Sequence, residues 1–172
     1  MFDKNLFNSP IIQETFKTEQ KAYTLFRHYY PSYTLIETDK DKTATVDAII
    51  VRDGTMDAVV ETKTRNTMTL EQLQGPYNNQ VLMLKSKIDN GRRLAQLLKT
   101  KFVVFYYLKA DNVLLSIPVS DHNGKLLTNI EYVEKVLGHT SISAETSKQW
   151  CIMLDASNAK IIKGFKSSDA PG

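Results

Sequence analysis

Apolar positions along the chain change period several times, and each change predicts an element. In residues 10–30, Ile12, Phe16, Tyr23, Phe26 and Tyr30 recur at helical spacing on one narrow face, with Ser9 as the cap, Pro10 in the first turn and Pro31 as the stop. The position that completes this stripe between Phe16 and Tyr23 is Glu19, so a carboxylate sits among aromatic rings, whereas Glu14 projects from the opposite, solvated side. Residues 33–37 read as a short strand. Residues 46–63, VDAIIVRDGTMDAVVETK, are two apolar runs around an Asp-Gly pair, the signal of a hairpin. Strand side chains alternate, so Glu61 and Lys63 share a face and Thr62 points away. A two-residue loop puts Asp47 opposite Val60, on the wrong face. A three-residue loop of Asp53, Gly54 and Thr55 puts Asp47 opposite Glu61, and this is the register we expect.

Beyond Lys63, Thr69 followed by Gln72 predicts a capped helix start. A helical pattern then runs through Leu73, Tyr77, Val81, Leu84, Ile88, Ala95 and Leu98, with a kink or restart at Pro76 and an interruption near Asn90 and Gly91. Residues 102–108, FVVFYYL, are apolar throughout, as expected of a central strand covered on both faces. A strand over 113–119, a turn over 121–124, a short helix over 129–137 closed by Gly138, and a hairpin of 150–154 with 159–165 complete the reading. The expected class is α/β in the mixed α+β sense, a mixed central sheet flanked by helices. One domain over residues 1–165 and a flexible tail over 166–172 are expected.

Composition narrows the function classes. The chain has 172 residues, 42% of them hydrophobic and 24% charged, enough for one sizeable core. Its formal charge of +3 is compatible with a polyanionic partner. Cys151 is the single cysteine, which excludes an intramolecular disulfide framework and fits a reducing compartment. With neither a basic-then-apolar leader nor a long apolar run, membrane association is not expected and a cytoplasmic location is. His28, His122 and His139 are scattered and support neither a zinc site nor a Cys/His pair. The seven glycines form no phosphate-cradling loop. Lys85, Lys87, Arg92, Arg93 and Lys99 form a basic cluster able to track phosphates, with Lys85, Arg92 and Arg93 the candidate nucleic-acid contacts.

The chemistry gathers around the hairpin. An acidic residue two before a lysine is weak evidence alone, since Glu19-Gln20-Lys21 also matches, on a helix where such residues diverge. The cross-strand pair says more. Two carboxylates, Asp47 and Glu61, facing each other across two strands repel unless a cation lies between them. Hard divalent ions such as Mg²⁺ need few protein oxygens and keep several waters.

Inward Glu19 on a helix, a strand opening at Asp47, then Glu61-Thr62-Lys63, a helix and a strand together resemble the PD-(D/E)XK nuclease superfamily over residues 11–108. The compact set is most similar to archaeal-type Holliday junction resolvases and small restriction-type endonucleases. Val46 stands in place of the motif's Pro. Gln72 and Gln74 lie five and three before Tyr77, unlike the spacing of four in RecB-type and exonuclease relatives. The resemblance implies a restriction-endonuclease-like core of αβββαβ order, with the C-terminal strand, helix and hairpin as additions. It implies metal-dependent hydrolysis of DNA, branched or junction DNA included, with Glu19, Asp47, Glu61 and Lys63 as the catalytic set. Asp47, Glu61 and the Thr62 carbonyl would hold Mg²⁺, with Mn²⁺ able to substitute, and Lys63 would orient the attacking hydroxide. Glu19 would complete the outer coordination or hold a second ion. Cutting both strands symmetrically implies a homodimer. RNA as substrate stays open, as does a catalytically inactive nucleic-acid-binding or protein-assembly module with the same fold.

Overall fold

The computed structural model describes residues 9–39, 44–138 and 146–164. The expected tail over 166–172 and the end of the expected last strand, Phe165, lie outside the described residues. Helix α1 spans Pro10–Tyr29; Ser9 caps it by accepting the Ile12 N–H, and Arg27 and His28 in the last turn favour its carbonyl end. Strand β1 (Tyr33–Glu37) pairs antiparallel with β2 (Ala48–Arg52), which pairs antiparallel with β3 (Thr55–Arg65). After a short helix α2 (Leu70–Gln74), strand β4 (Gln80–Leu84) and helix α3 (Lys85–Leu97), strand β5 (Lys101–Leu108) returns parallel to β3. Strands β6 (Val113–Ser120) and β9 (Lys160–Lys163) complete a six-stranded sheet of order β1-β2-β3-β5-β6-β9. Strands β7 (Ile130–Gly138) and β8 (Thr146–Asp155) join β4 in a three-stranded sheet of order β4-β8-β7. The protein is thus mixed α+β, with a mixed sheet flanked by helices.

The larger sheet separates two apolar cores. On one side α1 lays Ala22, Tyr23 and Phe26 onto Val60, Phe105 and Leu114. On the other, α3 and the smaller sheet bring Ile88, Ala95, Ile152 and Leu154 against Val59, Val104 and Leu115. Burying a single such aliphatic side chain stabilises by about 1.5–3 kcal/mol. Helix α3 comes unusually close to β5 because residue 91 is glycine: a Cβ there would lie 2.3 Å from the Phe102 ring. Among the described residues no helix is long and apolar enough to cross a membrane.

Several expectations require correction. The hairpin loop has two residues, Asp53 and Gly54, both at positive φ (50° and 74°), so Arg52 faces Thr55. The extra residue the site register needs comes instead from a bulge on β3 at Asp57, where pairing steps from Val51↔Met56 to Ile50↔Ala58. The helical pattern does not run on past Pro76. Asn78 and Asn79 take positive φ (48° and 59°), the chain turns, and residues 80–84 alternate buried and half-buried positions as strand β4. There is no interruption at Asn90 and Gly91, where α3 is continuous. Residues 129–137 do not form a helix: β-branched Ile130, Val133 and Val136 run in strand β7. The expected closing hairpin is instead split, with β8 paired to β4 and β7 and β9 paired to β6.

Candidate active site

Strand β3 outlasts its partner. Its ladder with β2 ends at Ala48↔Val60, while pairing with β5 continues to Arg65↔Leu108. Residues 61–65 therefore have a strand on one edge and a fork on the other. Asp47 stands at the crotch of that fork: its N–H donates to the Val60 carbonyl at 2.9 Å, and its Oδ2 accepts the Thr62 N–H at 2.8 Å. That carboxylate satisfies a strand N–H left unpaired by the departure of β2. Since the N–H and C=O of one strand residue leave by the same edge, the Thr62 carbonyl is directed into the fork as well.

Alternation along β3 distributes the side chains. Thr62 turns toward α1, where its hydroxyl meets the buried Tyr23 hydroxyl at 2.9 Å, and burial keeps that phenol protonated above its ordinary range. Glu61, Lys63 and Arg65 turn toward the α3 side, level with Val104, Tyr106 and Leu108 of β5. Glu61 is only 4% exposed. Burial first, then the Asp47 carboxylate, push its carboxyl up to about 7, with Glu19 adding to the rise and Lys87 opposing it. Its Oε1 accepts from the Lys87 Nζ at 3.0 Å, and its Oε2 is buried with no hydrogen-bond partner among the described residues. Burial and the neighbouring Arg65 hold the Lys63 ammonium below the usual lysine range, against the pull of Glu61 and Glu19. Arg65 is fixed beside it by an Nε–H bond to the Tyr106 hydroxyl at 2.8 Å.

Glu19 lies buried in the α1 stripe, at the position its spacing predicts, and its charge acts on Glu61, Lys63, Lys87 and Tyr23. Glu14 is solvated as expected and pairs with Lys109 at 2.7 Å. Glu19, Asp47, Glu61 and Lys63 thus share one electrostatic neighbourhood at the fork. Lys87, which the sequence places in the basic cluster but not in the catalytic set, joins them. Burial pulls its ammonium down, but Glu61, Asp47 and Glu19 together carry it above the usual lysine range. The sequence signal for this direction is its place beside buried Ile88, which points to the sheet once α3 is known to start at Lys85.

Lys85, Arg92 and Arg93 do not join this cluster. Lys85, Asp89, Arg92 and Gln96 follow a spacing of four, three and four along one flank of α3, and Lys87 lies on the other flank. Lys85 is paired with Asp89 and stands 5.6 Å above the Tyr132 ring.

Two carboxylates and a backbone carbonyl are enough oxygen for a hard divalent ion. Among the described residues, no three Asp, Glu, His or Cys side chains gather as a ready-made metal cage. The Lys87 ammonium supplies the counter-charge that the buried Glu61 needs. No protein-family model matches the chain, and no curated protein matches its sequence.

Proposed function

We propose that the protein is a divalent-metal-dependent nuclease of the PD-(D/E)XK type, with a restriction-endonuclease-like core, that hydrolyses phosphodiester bonds in DNA. The order of helix, three antiparallel strands, helical crossover and a strand parallel to β3 supports this reading, with β4 as an insertion in the crossover. The observation that carries it is the buried Glu61 carboxylate beside Asp47, with Oε2 lacking a hydrogen-bond partner among the described residues and Lys63 next along the same face. Lys87 engages only Oε1, and a buried carboxylate oxygen left without a partner is costly, a cost that a divalent ion at Oε2 would remove.

Asp47, Glu61 and the Thr62 carbonyl would hold Mg²⁺, or Mn²⁺ in its stead, and the ion when bound would acidify water and neutralise charge on the phosphate. The residues of the chain do the rest. The Thr62 N–H fixes the orientation of Asp47, and the Tyr23 hydroxyl fixes Thr62 from the α1 side. Lys63, its ammonium weakened by burial, hydrogen-bonds the attacking water and steadies charge on the phosphate oxygens. Lys87 offers a second ammonium to the same oxygens, and Glu19, behind the cluster, would complete the outer coordination or hold a second ion. Symmetric cutting of a duplex or junction would bring two copies together, and the proposed setting is the cytoplasm.

The test is cleavage of labelled duplex, single-stranded, flap and four-way-junction DNA, and of RNA, with Mg²⁺, Mn²⁺ or EDTA. Ion-dependent cutting that disappears in Glu61→Ala and Lys63→Ala is the expected result; binding without cutting under both ions sinks the reading. The Lys87–Glu61 pair favours one second reading, a catalytically inactive nucleic-acid-binding or assembly module in which the ammonium is the permanent partner of Glu61. In that case neither ion alters stability.

A further inference from the structure

On the flank of α3 opposite Lys87, a cavity of about 220 Å³ is lined by Asp89, Arg92, Arg93, Gln96 and Gly124. Its charge is unusual. Asp89, the one carboxylate in the lining, is already paired with Lys85. Arg92 and Arg93 have neither an ion pair nor a hydrogen bond among the described residues, and the Arg92 Nε is buried. The opposite wall is the turn around Gly124, whose φ of +80° and missing side chain let the backbone approach Gln96: a Cβ there would lie 3.3 Å from the Gln96 amide carbon. The nearby Asp121 carboxylate is turned inward, accepting the Asn123 and Lys125 N–H groups at 2.9 Å each.

Two guanidinium groups lining one small cavity raise its positive potential, and a buried N–H without an acceptor is unfavourable. A single oxyanion would answer both once the Arg92 side chain turns its buried Nε–H toward the cavity. The guanidinium fork matches phosphate geometry and binds it in bidentate fashion. The volume falls below the roughly 300–1,000 Å³ of sites that enclose whole small molecules, so the cavity suits one group projecting from something larger.

We propose that this cavity is a phosphate pocket that takes one backbone phosphate of a polynucleotide. It rests on the nuclease reading for the identity of that polynucleotide as substrate. Because the pocket and the Glu61 cluster lie on opposite flanks of α3, a strand held in it crosses over the helix before reaching the fork.

The test follows the Arg92 Nε–H resonance in ¹H–¹⁵N spectra of the whole chain, assigned through Arg92→Lys, while inorganic phosphate, a mononucleotide or a 12-mer DNA (a length of about one helical turn) is added. The 12-mer should move the resonance strongly, as its donor gains an acceptor. Arg92→Gln together with Arg93→Gln should lower the slope of log K against log salt by about one. An unmoved resonance and an unchanged slope overturn the pocket. A response to mononucleotide and inorganic phosphate without one to DNA overturns its assignment to a polynucleotide. Wild-type cleavage separates the two proposals: if wild type never cuts and the Arg92 resonance still responds to DNA, the nuclease reading falls and the pocket stands.

Discussion

Inside the fork, Glu61 carries a charge that its surroundings resist, and the consequence is a pH dependence of definite sign. Its carboxyl is raised from 4.5 to about 7. A folded-state value above the unfolded one means the folded protein holds the proton more tightly, so this contribution is fully present below the unfolded value and is lost as pH rises through the folded one. Lys87 adds no slope in that window, since its ammonium is held above its ordinary value and stays charged throughout. Urea denaturation from about pH 4.5 to pH 8 should show wild type losing on the order of 3 kcal/mol through this group, a slope absent from Glu61→Gln. Affinity for Mg²⁺ should strengthen over the same interval, because the ligand must shed its proton. Tyr23→Phe leaves the buried Thr62 hydroxyl without its 2.9 Å partner and should cost about 1–3 kcal/mol in the same measurement. The catalytic candidates were legible as residues: Glu19 announced itself by interrupting an apolar stripe, and Glu61 and Lys63 by strand alternation. Lys87 was not, because its direction depends on where α3 begins.

Elements were legible wherever one period acted alone. Helix α1, the capping box of α2 and the apolar strand β5 follow the sequence closely. Segments with two compatible periods were misread. Val81, Leu84 and Ile88 fit a helix by spacing, yet Val81 and Met83 alternate inward as a strand paired with β8. For the hairpin, the sequence gives the right neighbour for Asp47 through the wrong device, since a bulge at Asp57 replaces a longer loop; local turn chemistry says nothing of a bulge whose origin lies in the surrounding sheet. Gly91 shows the converse error, a glycine read as an interruption that is a contact. Gly91→Ala should destabilise by about 1–3 kcal/mol through overpacking against Phe102, and Phe102→Leu in the same chain should restore part of the loss, as thermal unfolding would show.

At the scale of the whole molecule, α1 and α3 pack against β3 from opposite faces of the larger sheet. If Asp47 and Glu61 hold an ion, Mg²⁺ must stabilise the entire fold by mass action, by about 2.7 kcal/mol when the ion is at a hundred times its Kd. Thermal unfolding of wild type should shift upward with the logarithm of Mg²⁺ concentration once that exceeds the Kd, while Asp47→Asn with Glu61→Gln should show no shift. The pairing of the smaller sheet was the part of the architecture least open to sequence reasoning, because β4 and β8 are about seventy residues apart in the chain and neither states its partner.

The junction of β4 and α3 ties that distant sheet to the chemistry. Leu84 is both the last residue of the strand and the first cap of the helix, with no linker between them. The strand is pinned to β8, so the rotational phase at which α3 sets out is inherited from the smaller sheet. Which side chain meets Glu61 is then a matter of indexing, as between two gears of unlike pitch. One residue inserted between Leu84 and Lys85 would advance the helix by about 100°, carrying Lys87 past the carboxylate and bringing Ser86 to its place.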